Sequence, residues 1–263
     1  MALDTSRMGF GLTGALDHAV VRELAPRVEE AGFRTLWIND TPNGDALASL
    51  RVAAAVTSRI RLATGVISMD RRPADHVAAT VRDRDLPVDR LLIGIGASKP
   101  PSPLGTIRDA IPVIRGGLQV PVVVGALGPN MRRLGVQESD GVLLNWLTPD
   151  GARSAMADKE RDLGDQPDHP AEVALYIRVA LGDKAIDVLR SEADRYAAIP
   201  SYAANFERLG FTSMETAVAA GTAAQVREGL GAFLGSVDEP VVRAVTGGDT
   251  LPEYLALLDA IAG

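Results

Sequence analysis

Residues 122–149, VVVGALGPNMRRLGVQESDGVLLNWLTP, contain two apolar strand patterns separated by one short helix pattern. The first apolar run ends at Gly125, and the second ends at Asn145. Strands that are apolar throughout and alternate with helices are typical of a parallel sheet whose two faces are both covered. This stretch therefore indicates an α/β fold, and it puts a glycine and an asparagine at the downstream ends of two strands.

The same alternation of strand and helix patterns continues over the whole chain. An open doubly wound sheet is one fold with this alternation, but no G-x-G-x-x-G motif follows the first strand. Eight strand–helix units instead predict a single (β/α)8 TIM barrel over residues 1–263, with a small helical insertion around residues 198–220. Within this insertion, the spacing predicts helical pieces at 201–209 and 213–219. The predicted strands are 8–12, 35–39, 61–67, 90–95, 120–124, 142–144, 172–181 and 240–245.

The composition argues against several classes of function. With 34 acidic and 27 basic residues the net charge is −7, whereas a nucleic-acid partner requires a clustered positive face. Cysteine is absent and the three histidines lie far apart, so we expect no disulfide and no metal site. No apolar run approaches the ~20 residues of a membrane helix, and the first residues lack a signal-peptide core. We therefore expect a cytoplasmic protein that acts on a small-molecule substrate, without nucleic-acid or membrane partners.

The glycine turn after the fifth predicted strand has the features of a phosphate-binding loop. Active sites of TIM barrels lie at the carboxyl ends of the strands, which is where this turn falls. Its glycines allow close backbone approach, and Pro129 stands where a helix begins, so free N–H groups at that end attract an anion. The alternative is a tight turn whose glycines only permit close helix packing. The residues of this turn are Gly125, Ala126, Leu127 and Gly128.

Two further residues follow the sixth predicted strand. Asn145 and Trp146 have the freedom to face the barrel mouth, whereas Thr148 and Pro149 are typical of a helix start. Trp146 has a second interpretation, in which it packs under the adjacent loop.

Five segments, in order, resemble the luciferase-like superfamily of flavin- and deazaflavin-dependent oxidoreductases. They are EEAGFRTLWIND (29–40), TSRIRLATGVISMDRRP (57–73), DRLLIGIGAS (89–98), GTIRDAIPVIR (105–115) and the stretch 122–149. The chain is most similar to the branch that uses the deazaflavin coenzyme F420, as in methylene-tetrahydromethanopterin reductases. The resemblance runs from about residue 7 to residue 150. It implies a TIM barrel that binds F420, with FMN as the alternative cofactor.

The resemblance also implies roles for individual residues. Asp40 matches an acidic residue near the cofactor ring, and Gly65–Val66 matches a bulge beneath the ring that contains a non-proline cis peptide. Without the resemblance, Gly65 is simply a glycine that relieves crowding inside a barrel. The implied cofactor-binding residues are Asp40, Gly65, Val66, Gly125, Ala126, Leu127, Gly128 and Asn145, and the candidate substrate-binding residues are Thr41, Lys99, Trp146, Tyr202 and Phe206.

The chain departs from its relatives at two positions that carry acid–base chemistry. It has Thr41 where many F420-dependent relatives have histidine, and Lys99 where a sugar-phosphate-oxidising branch has glutamate. Threonine does not titrate near neutral pH, and lysine ordinarily has a pKa of ~10.4, so sugar-phosphate dehydrogenase activity is disfavoured. Asp40 and Lys99 remain as candidate catalytic residues. Lys99 alternatively contacts an anionic substrate or is a solvated loop lysine.

Two other segments have both a functional and a structural interpretation. The region 196–211, with Tyr202 and Phe206, is the best candidate for a lid, or else an aromatic stripe packed on the barrel. Arg71 and Arg72 either face an anionic group of the coenzyme or substrate, or form an exposed, solvated pair; we expect the solvated pair.

These observations define a first hypothesis and several alternatives. The first is an oxidoreductase that transfers a hydride between F420 and a small organic substrate. The second is an FMN-dependent luciferase-like monooxygenase on the same scaffold. A degenerate barrel that binds flavin without turnover is the third, and a lyase that forms a Schiff base on Lys99 is the last. By analogy with the family, we expect a possible homodimer.

Overall fold

Eight parallel strands pair edge to edge into a closed barrel, which confirms the predicted (β/α)8 fold. The computed structural model describes residues 2–164, 169 and 171–263. Closure comes from the last barrel strand, which pairs with the first strand on one side and with the seventh on the other. The barrel strands are β1 Gly9–Thr13, β2 Thr35–Asn39, β3 Arg61–Thr64, β4 Leu91–Gly96, β5 Val122–Gly125, β6 Gly141–Asn145, β7 Glu172–Leu181 and β8 Glu239–Val245.

A helix follows each barrel strand and covers its outer face with apolar side chains. In the part of the chain that the structure describes, no helix is both long and apolar enough to cross a membrane. The helices are α1 His18–Glu30, α2 Ala46–Ala54, α3 Ala74–Asp83, α4 Pro103–Leu118, α5 Pro129–Glu138, α6 Pro149–Leu163, α7 Asp183–Ala197, α8 Pro200–Leu209, α9 Ala223–Gly231 and α10 Leu251–Ala262.

The barrel interior is filled by one cluster of apolar and aromatic side chains. Because side chains alternate between the two faces of a strand, the residue two positions further along each strand also faces inward, one layer nearer the carboxyl end. This next layer forms the mouth of the barrel. The interior layer consists of Trp37, Ala63, Leu92, Val123, Leu143, Ala174, Tyr176 and Val241, and the mouth layer includes Asn39, Gly65, Gly125, Asn145, Arg178 and Arg243.

The amino end of the barrel is occupied by a paired network of charges. Glu239 is only 1% exposed, and it accepts hydrogen bonds from Trp37 Nε1 at 2.8 Å and from Arg61 Nη2 at 2.6 Å. Arg34 pairs with Glu172 at 2.5 Å, and Arg61 also reaches Glu172. The charged groups at this end therefore pair largely with one another.

The helix predicted at residues 213–219 is wrong. The chain forms a short 3-10 helix, Ser213–Thr216, and then a strand, Val218–Ala220, which pairs with the last residues of β7. The reason lies in the length of β7, because β6 pairs only with residues 172–176 and leaves residues 179–181 without a neighbour on that side. Pairing of the backbone at this vacant edge outweighs the local helical pattern.

Candidate active site at the barrel mouth

The floor of the mouth is formed where the chain leaves β3. The Gly65–Val66 peptide bond is cis, as the resemblance implied, and the chain then resumes as a short strand, Ile67–Ser68, beside β4. The Val66 side chain lies across the mouth, so that a Cβ placed on Gly125 would come within 2.9 Å of it and one on Gly96 within 2.8 Å. Glycine at these two positions makes room for the Val66 side chain, which is partly exposed and forms the floor of the mouth.

Tyr176 lies directly beneath this floor. A Cβ on Gly65 would stand 1.9 Å from the Tyr176 hydroxyl, so no larger residue fits there. The hydroxyl is buried and has no hydrogen-bond partner among the described residues. Burial raises the pKa of Tyr176 well above its ordinary value, so the phenol is protonated at neutral pH and is available as a donor. Gly65 therefore both relieves crowding and brings the hydroxyl close to the mouth.

The glycine turn connects the floor to the start of α5. Ala126 N–H donates to the Leu143 carbonyl at 3.1 Å, and Gly128 is the N-cap residue, with Pro129 at the first helical position. Among the described residues no side chain caps α5, so the N–H groups of its first turn remain open to an anion. No atom lies within 4 Å of a Cβ built on Gly128, so the space in front of this helix end is free.

Asp40 follows β2 and is held from several sides. Arg71 donates to its Oδ2 at 2.8 Å, Arg72 lies 3.6 Å from Oδ1, and Ala46 N–H donates to Oδ1 at 3.3 Å. Burial raises the pKa of the Asp40 carboxyl, against the opposing effects of the Ala46 N–H and of the two guanidinium groups. Asp45, which pairs with Arg72, also raises it.

The expectation that Arg71 and Arg72 are a solvated pair is therefore wrong. Their side chains are 35% and 21% exposed and hold a buried carboxylate. The sequence does not reveal this pairing because Asp40 lies thirty-one residues before Arg71, on a neighbouring strand end.

Two polar oxygens beside Asp40 lack partners. Asn39 Oδ1 and Thr41 Oγ1 are buried and accept no hydrogen bond from the described residues. Thr41 is held in place by a backbone bridge to Gly44. Burial of unpaired polar atoms is unfavourable, and such atoms are therefore candidates for ligand contact.

Lys99 lies at the rim of the mouth, on the loop between β4 and α4. Its backbone N–H donates to Asp70 Oδ2 at 3.2 Å, and Ser98 N–H donates to the same oxygen at 2.7 Å. The Asp70 carboxylate thus holds the backbone of this loop in place. Lys99 itself is exposed. Among the described residues, no group of three or more histidine, aspartate or glutamate side chains could hold a metal ion.

Asn145 is linked to an arginine that we did not identify from the sequence. Arg178, at the mouth layer of β7, donates to Asn145 Oδ1 at 2.6 Å and to Glu192 Oε1 at 2.7 Å. Its guanidinium carbon lies 3.5 Å from the Trp146 ring centroid and 4.9 Å from that of Tyr196. Trp146 is 1% exposed, so in this structure it packs beside the mouth and orients Arg178.

Arg243 is the neighbour of Arg178 across the β7–β8 pairing. It occupies the mouth layer of β8, and its Nε is buried without a partner among the described residues. Both arginines had a signal in the sequence: each is the one charged residue inside an otherwise apolar strand run, YIRVAL and VVRAV. A lone charge at an inward position of a barrel strand requires either an ion pair or a ligand.

Helix α8 covers one side of the mouth with aromatic side chains. Phe206 is 7% exposed and meets the Trp146 ring edge-on at 6.1 Å, while Tyr202 meets Tyr196 at 4.9 Å. Burial raises the pKa of Tyr202 to about 12. The packed-stripe interpretation thus describes Phe206, and α8 lies beside Trp146 at one side of the mouth.

The mouth as a whole fits a planar ring carrying an anionic group. Among the described residues it offers a floor at Val66, unpaired polar atoms on Asn39, Thr41 and Tyr176, and a helix start at Gly128 without a side-chain cap. The sequence-predicted residues Asp40, Gly65, Val66, Asn145 and 125–128 all lie at strand ends around this mouth.

Comparison with known proteins agrees with this geometry. The family model of luciferase-like monooxygenases matches residues 3–109. A 5,10-methylenetetrahydromethanopterin reductase of Methanolobus tindarius is 28% identical over 180 residues, which cover 54% of this chain and 55% of that protein. The chain therefore spans about half the length of the curated relatives it matches. These matches confirm the resemblance to the luciferase-like superfamily and its F420-dependent branch.

Solved structures show the same barrel in enzymes of two kinds. An F420-dependent secondary alcohol dehydrogenase, in complex with an F420–acetone adduct, has a TM-score of 0.74 at 17% identity, with 98% of this chain and 99% of that chain covered. A monooxygenase from Streptomyces bottropensis has a TM-score of 0.72 at 15% identity, with 97% and 98% covered. At these identities the likeness shows the fold alone.

Proposed function

We propose that this chain is an oxidoreductase that transfers a hydride between coenzyme F420 and a small organic substrate. The observation that carries the proposal is the uncapped start of α5 at Gly128, set beside the Val66 floor. A curated relative from Mycobacterium tuberculosis supports F420 as the coenzyme, because it is named as a putative coenzyme F420-dependent oxidoreductase.

Each part of the mouth has a role in this proposal. The N–H groups of Leu127, Gly128 and the first turn of α5 bind the coenzyme phosphate, and Gly125 and Ala126 hold the turn in place through the bond from Ala126 N–H to the Leu143 carbonyl. Val66 supports the ring, and the Tyr176 hydroxyl, protonated because it is buried, donates a hydrogen bond from below. Asp40 and Asn145 contact the coenzyme near its ring, and Asp40 is held in position by Arg71. When bound, the deazaflavin ring supplies the carbon that accepts or releases the hydride.

The substrate lies between the ring and the rim. Thr41 contributes an unpaired oxygen, Lys99 an exposed cation at the rim, and Tyr202 and Phe206 on α8 an apolar cover. Trp146 acts through Arg178, whose guanidinium it supports. Asp40 is the candidate for proton transfer, because burial keeps its pKa above that of an ordinary aspartate.

The second candidate function is an FMN-dependent monooxygenase. The family model that matches residues 3–109 describes luciferase-like monooxygenases, and the same floor and anion site suit a flavin phosphate. Two further alternatives have less support. Lys99 is exposed at the rim, which disfavours it as an enclosed Schiff-base site. A barrel that binds flavin without turnover would use the same floor and the same anion site.

We further propose that residues 1–263 form one domain and that the chain works in the cytoplasm as a homodimer. The closed barrel supports the first part, because its last strand must pair with its first. Light scattering of the purified protein tests the second, and a monomer mass at all concentrations would contradict it.

Titration of the purified protein with F420 and, separately, with FMN tests the proposed function. We expect micromolar or tighter binding of F420, seen as a change in its fluorescence. Preference for FMN would instead favour the monooxygenase, and binding of neither cofactor would contradict both.

The placement of the phosphate is tested by Gly128→Val. The added side chain meets open space, so the fold is retained, but it occupies the approach to the α5 N–H groups and should abolish cofactor binding. Gly231→Val, at another open position on the outer helix α9, is the matched control and should bind normally. Unchanged affinity of Gly128→Val would contradict this placement.

A further inference from the structure

The last barrel strand carries a partly buried arginine that forms no ion pair in the described part of the chain. Arg243 occupies the mouth layer of β8, and its Nε is buried without a hydrogen-bond partner among the described residues. Its Nη1 donates to the carbonyl of Ala244, the next residue along the strand. Because a guanidinium has five N–H donors, this one bond to the backbone leaves Arg243 with donors to spare.

Arg178, which stands opposite Arg243 in the β7–β8 pairing, is by contrast already paired. Its Nε donates to Glu192 at 2.7 Å, its Nη1 donates to Asn145 at 2.6 Å, and the Trp146 ring covers its face. Burial lowers the pKa of Arg178, Glu192 raises it, and the charge of Arg243 lowers it again. Glu192 thus balances Arg178, and the two guanidinium groups repel each other.

This part of the mouth therefore has one positive charge too many. Two arginines on neighbouring strands share a single carboxylate, that of Glu192. Like charges placed opposite each other destabilise a sheet, and a partly buried charge without a partner costs free energy. A ligand with one negative charge beside Arg243 removes both penalties.

Arg243 lies well away from the anion site at the start of α5. That site follows β5, whereas Arg243 belongs to β8, three strands further around the closed barrel. On the other side of Arg243, its partner on β1 is Gly11, so β1 contributes no side chain beside it. The two places are therefore separate, and an anion at Arg243 is not the group that binds at Gly128.

We propose that Arg243 binds a carboxylate group of the substrate, so that the active site selects small organic acids. The class follows from shape and charge, because a guanidinium fork matches a planar carboxylate and the single negative charge equals the single unbalanced positive charge. A phosphate ester carries nearly two negative charges and would exceed this balance. The proposal rests on the proposed function, since it names the class of substrate for the same site.

The test uses two probes of the same shape, 3-phenylpropanoate and its neutral amide, 3-phenylpropanamide. Each probe is titrated by calorimetry into the full chain alone, with saturating F420 and with saturating FMN. The forms compared are wild type, Arg243→Gln and Arg190→Gln. Arg190 of α7 is the matched control, because its side chain is 63% exposed and pairs with Asp187 on the outer surface of the helix. The affinity of each form for the two coenzymes is measured in the same way.

We expect the wild type to bind the carboxylate about tenfold or more tightly than the amide, as a charge-assisted hydrogen-bonded pair implies. Arg243→Gln should lose this preference, and Arg190→Gln should keep it. Arg243→Lys should keep part of it, because the charge remains while the fork is lost. Without ligand, Arg243→Gln should melt at or above the wild-type temperature, because a charge that repels Arg178 has been removed. The wild-type preference itself does not depend on the stability of any variant.

The arms separate this proposal from the proposed function. A carboxylate preference that depends on Arg243, without binding of either coenzyme, supports the carboxylate site and contradicts the coenzyme assignment. Binding of F420 together with equal affinity for the two probes supports the coenzyme assignment and overturns the carboxylate site. Binding of neither probe in any arm would overturn it as well. So would an Arg243→Gln variant that keeps the preference but loses affinity for F420, because Arg243 would then face the coenzyme.

Discussion

Both ends of the barrel carry inward-facing polar side chains, but the two ends pair them differently. At the amino end, Glu239 accepts from both Trp37 and Arg61. At the carboxyl end, the Tyr176 hydroxyl, Asn39 Oδ1 and Arg243 Nε are buried without partners among the described residues.

The difference indicates that the polar groups at the amino end stabilise the fold, whereas those at the carboxyl end serve a ligand. Buried polar groups that satisfy each other stabilise the fold, whereas buried groups that are left unsatisfied cost free energy and are retained for another reason. The unpaired end is also the end where TIM barrels place their active sites. Both ends carry polar side chains, so the candidate site differs from the amino end in having buried polar atoms without partners among the described residues.

The largest effect is expected at the amino end. Glu239→Gln removes a carboxylate that is 1% exposed and leaves Arg61 without its shortest ion pair, so the free energy of unfolding should fall by about 3 kcal/mol. Urea unfolding measures this loss. Glu138→Gln, which breaks an exposed pair with Arg108, is the control and should cost less than about 1 kcal/mol. Equal losses in the two variants would mean that the buried pair at the amino end contributes no more to stability than an exposed pair does.

A smaller and opposite effect is expected at the mouth. Tyr176→Phe removes a hydroxyl that has no partner, so the free energy of unfolding should stay the same or rise by up to ~1 kcal/mol. The same variant should bind F420 more weakly, since a donor beneath the floor is lost. Clear destabilisation without loss of affinity would mean that the hydroxyl serves the fold, and it would remove the distinction between the two ends.

The smallest effect concerns Asp40 and pH. Its pKa is raised by burial, so the folded protein keeps this proton to higher pH than the unfolded chain does. The stability contributed by the protonated carboxyl is thus full below the ordinary pKa and is lost as pH rises through the raised value. Relative to Asp40→Asn, the wild type should lose stability across this window, measured by unfolding at several pH values. A relative gain would show that Arg71 and Arg72 outweigh burial.

The sequence was sufficient to predict the barrel and the glycine turn because both depend on local patterns. Strand and helix periodicity is a property of neighbouring residues, and Gly125 and Gly128 stand where a strand ends and a helix begins. Arg178 was missed for the opposite reason. Its partner Asn145 lies thirty-three residues away in the sequence, so only the folded chain brings the two side chains together.

The strand Val218–Ala220 returns the chain to the barrel after the helices α7 and α8. It pairs with residues 179–181, and Gly182 N–H donates to the Ala220 carbonyl at 2.8 Å. Residues 182 and 220 are therefore neighbours in space, at the two ends of the segment 183–219. The intervening segment carries α7 and α8, including the aromatic cover. Both ends of this segment lie at the carboxyl end of β7, so the segment is attached to the barrel at one place. Because β8 closes the barrel by pairing with β1 and β7, a change in the length of this segment leaves that closure in place.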